Sequence, residues 1–131
     1  MYLLDTNILL WFRLEPTKLS KSYIDILTNV DRQKCISTIS LWEISLKFAL
    51  GKLELGGHTP EEFLDSALAL GLIVISPEPD VYASFHQLQP IPEHRDPFDR
   101  MLIWQAIKNN LTLLSADHRM VQYKNQGLTV A

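Results

Sequence analysis

A single cysteine, five glycines and the absence of any long apolar run exclude several classes of protein. Cys35 has no partner for an internal disulfide, so a reducing cytoplasm is the expected setting. No apolar stretch approaches the roughly 20 residues of a membrane-spanning helix. Met1 leads into a strand-like segment, not into a basic region followed by a signal-like apolar stretch. No membrane association is expected. The glycines form neither a phosphate-binding loop nor a Gly-x-Ser-x-Gly elbow. His58, His86, His94 and His118 show no zinc-like pairwise spacing. Repeats, low-complexity tracts and blocks of like charge are lacking as well.

What is present has an ordinary globular balance, 47% hydrophobic and 21% charged. The 131 residues suffice for one domain, spanning 1–131, with a real core. A net charge of −3 argues against a general nucleic-acid binder, which is usually basic. That argument weakens if several acids belong to a metal site, because a bound cation inverts the local field. With Asp5, Glu43, Asp99 and Asp117 set apart, the 12 lysines and arginines nearly balance the remaining acids.

Short apolar runs alternate with helical patterns. Tyr2–Leu4, Cys35–Ser37, Leu72–Ile75, Thr112–Ser115 and Leu128–Val130 read as strands, each too short for a helix. Helical patterns fill Ile8–Arg13, a segment capped by Ser20 with Tyr23, Ile24, Leu27 and Val30 apolar, and a segment from Ser40 to Gly51. Thr59-Pro60-Glu61-Glu62 opens another helix, which stops at Gly71. Further helices are expected over Val81–Leu88, from Asp96-Pro97 onward, and near His118–Tyr123. This alternation predicts an α/β fold, a mostly parallel sheet covered on both faces. Trp11, Trp42 and Trp104 fall in helical apolar patterns and are read as core or interface residues.

Four carboxylates stand at the ends of these runs: Asp5 after Tyr2-Leu3-Leu4, Glu43 shortly after Cys35-Ile36, Asp99 at a helix start, and Asp117 after Leu113-Leu114. Ligands of open parallel sheets bind outside the carboxyl ends of the strands. If the strands are parallel neighbours, the four acids converge there. Such a cluster repels itself and calls for a cation. Oxygen ligands suit Mg²⁺ or Mn²⁺, and such an ion serves phosphoryl chemistry.

Each acid has a competing explanation. Asp5 and Asp117 are natural helix caps. Ser40-Leu41-Trp42-Glu43 has the form of a capping box, which accounts for Glu43 without chemistry. Asp96 precedes Pro97 and reads as a cap, leaving Asp99 in the first turn, where an acid complements the helix dipole. The repeated strand–acid–helix order, rather than any one residue, favours a site.

Leu3-Leu4-Asp5-Thr6-Asn7, Ser37-Thr38-Ile39-Ser40-Leu41-Trp42-Glu43-Ile44 with Lys47 and Gly51-Lys52-Leu53, Arg95-Asp96-Pro97-Phe98-Asp99-Arg100, and Leu114-Ser115-Ala116-Asp117 together resemble PIN-domain ribonucleases. The match is nearest to the VapC-like toxins of bacterial type II toxin–antitoxin systems. The resemblance implies a three-layer α/β/α sandwich around a mostly parallel sheet, and Mg²⁺- or Mn²⁺-dependent hydrolysis of RNA that leaves 5′-phosphate ends. Asp5, Glu43, Asp99 and Asp117 would hold the metal. Asn7, Ser115 and Asp96 would support the site. A small antitoxin partner is implied too, and the aromatic and aliphatic density at Trp11, Phe12, Trp42, Phe48 and Leu50 predicts exposed contact surface and a homodimer. Two other readings stay open: a PIN-like nuclease acting on another nucleic acid such as structured DNA, and a non-catalytic interaction module whose acids are caps.

Overall fold

The computed structural model describes residues 1–131. Five strands form one sheet: β1 (Tyr2–Leu4), β2 (Lys34–Ser37), β3 (Ile73–Ile75), β4 (Thr112–Leu114) and β5 (Thr129–Val130). Their order is β3-β2-β1-β4-β5 and every pairing is parallel. The helices are α1 (Thr6–Leu14), α2 (Lys21–Thr28), α3 (Thr38–Ala49), α4 (Pro60–Ala69), α5 (Pro79–Ser84) and α6 (Pro97–Lys108). Short 3₁₀ segments lie at Pro16–Lys18, Phe85–Gln87 and His118–Gln126.

Side chains alternate across a strand, so a sheet covered on both faces needs continuous apolar strands. Leu3, Cys35 and Leu113 enter one core, with Leu102, Ile103 and Tyr123. Their neighbours Leu4, Ile36 and Leu114 enter the other, with Ile8, Leu9, Ile44 and Phe63. The expected α/β/α sandwich is therefore the observed architecture. No helix is long and apolar enough to cross a membrane.

Chain direction reverses its spread at β1: β2 and β3 extend to one side, β4 and β5 to the other. This is the switch point at which parallel sheets open a crevice at their carboxyl edge. Helices that return between parallel strands run against them, so the start of α6 also reaches that edge.

Several expected helix boundaries shift: α1 begins at Thr6, α5 covers Pro79–Ser84 before a 3₁₀ turn, and His118–Gln126 is 3₁₀. The chain enters α3 directly from β2, and the Ser37 hydroxyl, not that of Ser40, caps it by accepting the Ile39 N–H at 3.0 Å. Ser40 lies inside the helix, where its hydroxyl accepts from Thr6 Oγ1 at 2.9 Å, and Glu43 is free of any capping box. Helix α2 ends at Thr28, so Val30 is not on its apolar face and stands 93% exposed. The capping box that does form joins Thr59 and Glu62 at the head of α4.

Candidate active site

Asp5 occupies the N-cap position of α1 but makes no capping bond with its side chain. Its Oδ2 instead accepts from Ser115 Oγ at 2.8 Å, across the β1–β4 seam. Ser115 is fixed in turn by Tyr23, whose hydroxyl accepts the Ser115 N–H at 3.1 Å and lies 2.9 Å from the Ser115 carbonyl oxygen. Ser115 Oγ also accepts the Asp117 N–H at 3.1 Å. One serine therefore ties together the acids that follow β1 and β4.

Asp117 does act as a cap, accepting the Arg119 N–H at 2.9 Å. It also receives the Arg119 guanidinium, with Nη2 donating to Oδ2 at 2.7 Å and Nε to Oδ1 at 3.0 Å. Arg119 Nη1 is held by the Glu93 carbonyl oxygen at 2.7 Å. These charge-assisted bonds hold the Asp117 carboxyl down to about 2.

Asp96 caps α6 as expected, accepting from Phe98 and Asp99 N–H groups. Asp99, freed from capping, faces the other acids. Burial pushes its carboxyl up to about 7, and the charges of Asp5, Asp96, Glu43 and Asp117 push the same way. Burial likewise raises Asp5 to about 6, against the lowering effect of the Ser115 bond. Glu43 is 3% exposed and ion-pairs with Lys47 at 2.6 Å through Oε2, while its buried Oε1 has no hydrogen-bond partner.

A cavity of about 260 Å³ lies over this edge, lined by Asp5, Asn7, Trp11, Asp99, Ala116, Asp117 and Arg119. Glu43 is not part of the lining but stands near enough to act on both Asp5 and Asp99. A larger cavity, about 370 Å³, includes Arg32, Gln33 and Lys34 and has no carboxylate in its wall. It lies at the amino end of β2, away from the acids.

His94, Lys47 and Arg119 escaped the reading of the sequence as members of this cluster. His94 is 1% exposed; its Nδ1 is 2.8 Å from the Tyr123 hydroxyl. Its Nε2 lies 3.5 Å from Asp99 Oδ2 and 3.9 Å from Asp117 Oδ2. Burial, then Arg119, lowers its pKa, so the ring is neutral near pH 7 and these contacts are not ion pairs. Only the fold brings His94 here, because the loop carrying it folds back over Tyr123. Lys47, one turn after Glu43, had a readable signal in its four-residue spacing.

The donor set fits a divalent cation. Two carboxyl groups are held above their ordinary range by burial, and two buried polar atoms, Glu43 Oε1 and His94 Nε2, have no partner. A cation would relieve the repulsion and lower both raised pKa values.

The PIN domain family profile matches residues 2–126. The chain belongs to the PIN domain family, a family of nucleases that generally use a divalent metal. Among solved structures, it is similar to VapBC2 from Rickettsia felis bound to a DNA fragment from their promoter, with 20% identity over 99% of this chain and 96% of that one, and a TM-score of 0.71. DNA-bound VapBC from Salmonella typhimurium gives 20% identity, the same coverage of 99% and 96%, and a TM-score of 0.67. FitAcB from Neisseria gonorrhoeae gives 21%, again 99% and 96%, and 0.65. At these identities the likeness establishes the fold. No curated protein matches the chain.

Proposed function

We propose that residues 1–131 act as a single PIN-like domain, a metal-dependent endoribonuclease serving as the toxin of a VapBC-type toxin–antitoxin pair in the cytoplasm. The observation that carries the nuclease reading is the meeting of Asp5, Asp99 and Asp117 around one cavity at the switch point, with Glu43 buried behind them. Asp5, Asp99 and Asp117 would hold the ion, Mg²⁺ or Mn²⁺, with Glu43 near enough to act directly or through water. A bound divalent cation supplies Lewis-acid stabilisation of the phosphoryl oxygens and acidifies water. The protein's own groups do the rest. Ser115 orients Asp5, and Asp96 fixes the start of α6 and with it Asp99. Arg119 holds Asp117 ionised, which suits this carboxylate to a ligand's role rather than a proton acceptor's. Asn7 and the outer face of Arg119 line the cavity where a phosphodiester would enter.

The toxin assignment is supported by the kind of complexes whose PIN chains share this fold. Supporting an antitoxin contact and a homodimer, α3 and its C-terminal end expose Trp42, Leu46, Phe48 and Leu50.

The test is cleavage of RNA by the purified chain with Mg²⁺ or Mn²⁺, with chelator, and in the variants Asp5→Asn and Asp117→Asn. Cation-dependent cleavage lost in both variants is expected. Cleavage that survives exhaustive chelation rules the mechanism out, and preferential cleavage of structured DNA would reassign the substrate.

A further inference from the structure

His94 sits against the acidic cluster, and nothing in the reaction outlined above uses it. Its side chain is fully buried, yet Nε2 has no hydrogen-bond partner. An orphaned buried nitrogen is costly unless something satisfies it. The atoms it faces are Asp99 Oδ2 and Asp117 Oδ2, at 3.5 and 3.9 Å, too far for good hydrogen bonds. Those separations suit a shared ion: bonds of about 2.1 Å place adjacent octahedral ligands about 3.0 Å apart and opposite ones about 4.2 Å apart. One ligand atom from each of His94, Asp99 and Asp117 lies within 4.8 Å of the others.

The other ring nitrogen is already committed. Nδ1 meets the Tyr123 hydroxyl at 2.8 Å, and Tyr123 is itself fully buried. The contact admits either tautomer; in the one that donates the Nδ1 proton to the Tyr123 hydroxyl, the lone pair of Nε2 faces the two carboxylates. An outer partner fixing the tautomer and ring orientation is the usual arrangement of a metal-binding histidine. Arg119 does not block it, since a carboxylate has about four lone-pair sites and the guanidinium uses part of them.

We infer that His94 Nε2 is a ligand of the cation held by Asp99 and Asp117, making a mixed nitrogen–oxygen site that selects Mn²⁺ over Mg²⁺. This rests on the metal-dependent reading of the site given above. Imidazole favours first-row transition cations, whereas Mg²⁺ prefers oxygen and water. Tyr123 is a positioning residue that acts through His94.

The experiment is Mn²⁺ binding to the intact chain, followed by pulsed electron paramagnetic resonance and by calorimetry against Mg²⁺. The wild-type Mn²⁺ spectrum should show nitrogen modulation from a coordinated imidazole. H94Q should lose that modulation and lower Mn²⁺ affinity about tenfold or more, leaving Mg²⁺ affinity within about threefold. Y123F should weaken Mn²⁺ in the same direction but retain the modulation. Mn²⁺ bound without nitrogen modulation, and released by Asp99→Asn, overturns the His94 assignment and leaves the nuclease reading intact. No binding of Mn²⁺ or Mg²⁺ by the wild-type chain overturns both. The wild-type spectrum decides the question even if H94Q fails to fold.

Discussion

Asp99→Asn should stabilise the metal-free protein above neutral pH. The carboxyl of Asp99 is pushed up to about 7 in the fold, against about 4 in an unfolded chain. For a raised carboxyl the unfolded state releases its proton first. The folding penalty is absent below about pH 4, grows through the window from about 4 to about 7, and is complete above it. At about 1.4 kcal/mol per pH unit, the ceiling is about 4 kcal/mol. The side chain is 21% exposed, so water and salt screen part of this. Asn also forfeits about 0.3–1 kcal/mol of favourable contact with the α6 dipole. A net gain of about 1–2 kcal/mol remains, or about 3–6 °C in Tm for a domain of this size. Thermal melts in chelator near pH 4.5 and pH 8 would read it: a small difference at the lower value, a clear gain for the variant at the higher. Saturating Mn²⁺ should reverse the order, since ligand at about 100-fold over Kd adds about 2.7 kcal/mol to the wild type alone. A variant less stable than wild type near pH 8 in chelator, or a gain that does not change with pH, would refute the electrostatic account.

Asp96→Ala should lower stability by about 0.5–2 kcal/mol through loss of the α6 cap and reduce RNA cleavage less than Asp99→Asn does; denaturant unfolding and a cleavage assay compare the two, and the reverse ranking would exchange the roles of Asp96 and Asp99. Trp42→Ser should weaken binding of an antitoxin from the neighbouring reading frame at least about tenfold, as for an exposed aromatic anchor, without altering cleavage of RNA; titration calorimetry and light scattering check it, and unchanged affinity would move the contact away from α3.

The strands and their order of appearance were legible because a sheet covered on both faces leaves a coarse signal: Leu3-Leu4, Cys35-Ile36 and Leu113-Leu114 are apolar on consecutive positions. The head of α4 was legible because its cap is purely local, Thr59 and Glu62 three residues apart. The head of α3 was misread by the same rule. Ser40 and Glu43 satisfy the spacing, but β2 runs straight into the helix and Ser37 reaches the first free N–H before Ser40 can. Local patterns compete, and tertiary continuity chose between them. Within the site, Asp5, Asp99 and Asp117 were visible as strand-end and helix-start acids. His94 was not, because its place depends on a loop held by Tyr123, 29 residues away in the chain. Zinc-like spacing was the wrong filter for it, since its companions at the site are carboxylates and not other histidines.

The four acids are not equivalent, and the difference lies in which cations the chain supplies to them. Asp117 has Arg119 at 2.7 Å and Glu43 has Lys47 at 2.6 Å. Asp5 and Asp99 have no lysine or arginine within ion-pair distance; Asp5 has a serine hydroxyl and Asp99 a neutral imidazole beyond hydrogen-bonding reach. The protein therefore neutralises half of its acidic edge with its own side chains and leaves the other half, buried Asp5 and half-buried Asp99, without a countercharge. Removing the charge of Asp5 or Asp99 relieves a repulsion, whereas removing that of Asp117 takes the partner from a guanidinium already fixed by the Glu93 carbonyl. Arg119 is itself 36% exposed, so the freed guanidinium is hydrated and the cost of losing this pair stays modest. A cation bound between Asp5 and Asp99 would relieve the repulsion that their burial leaves uncompensated.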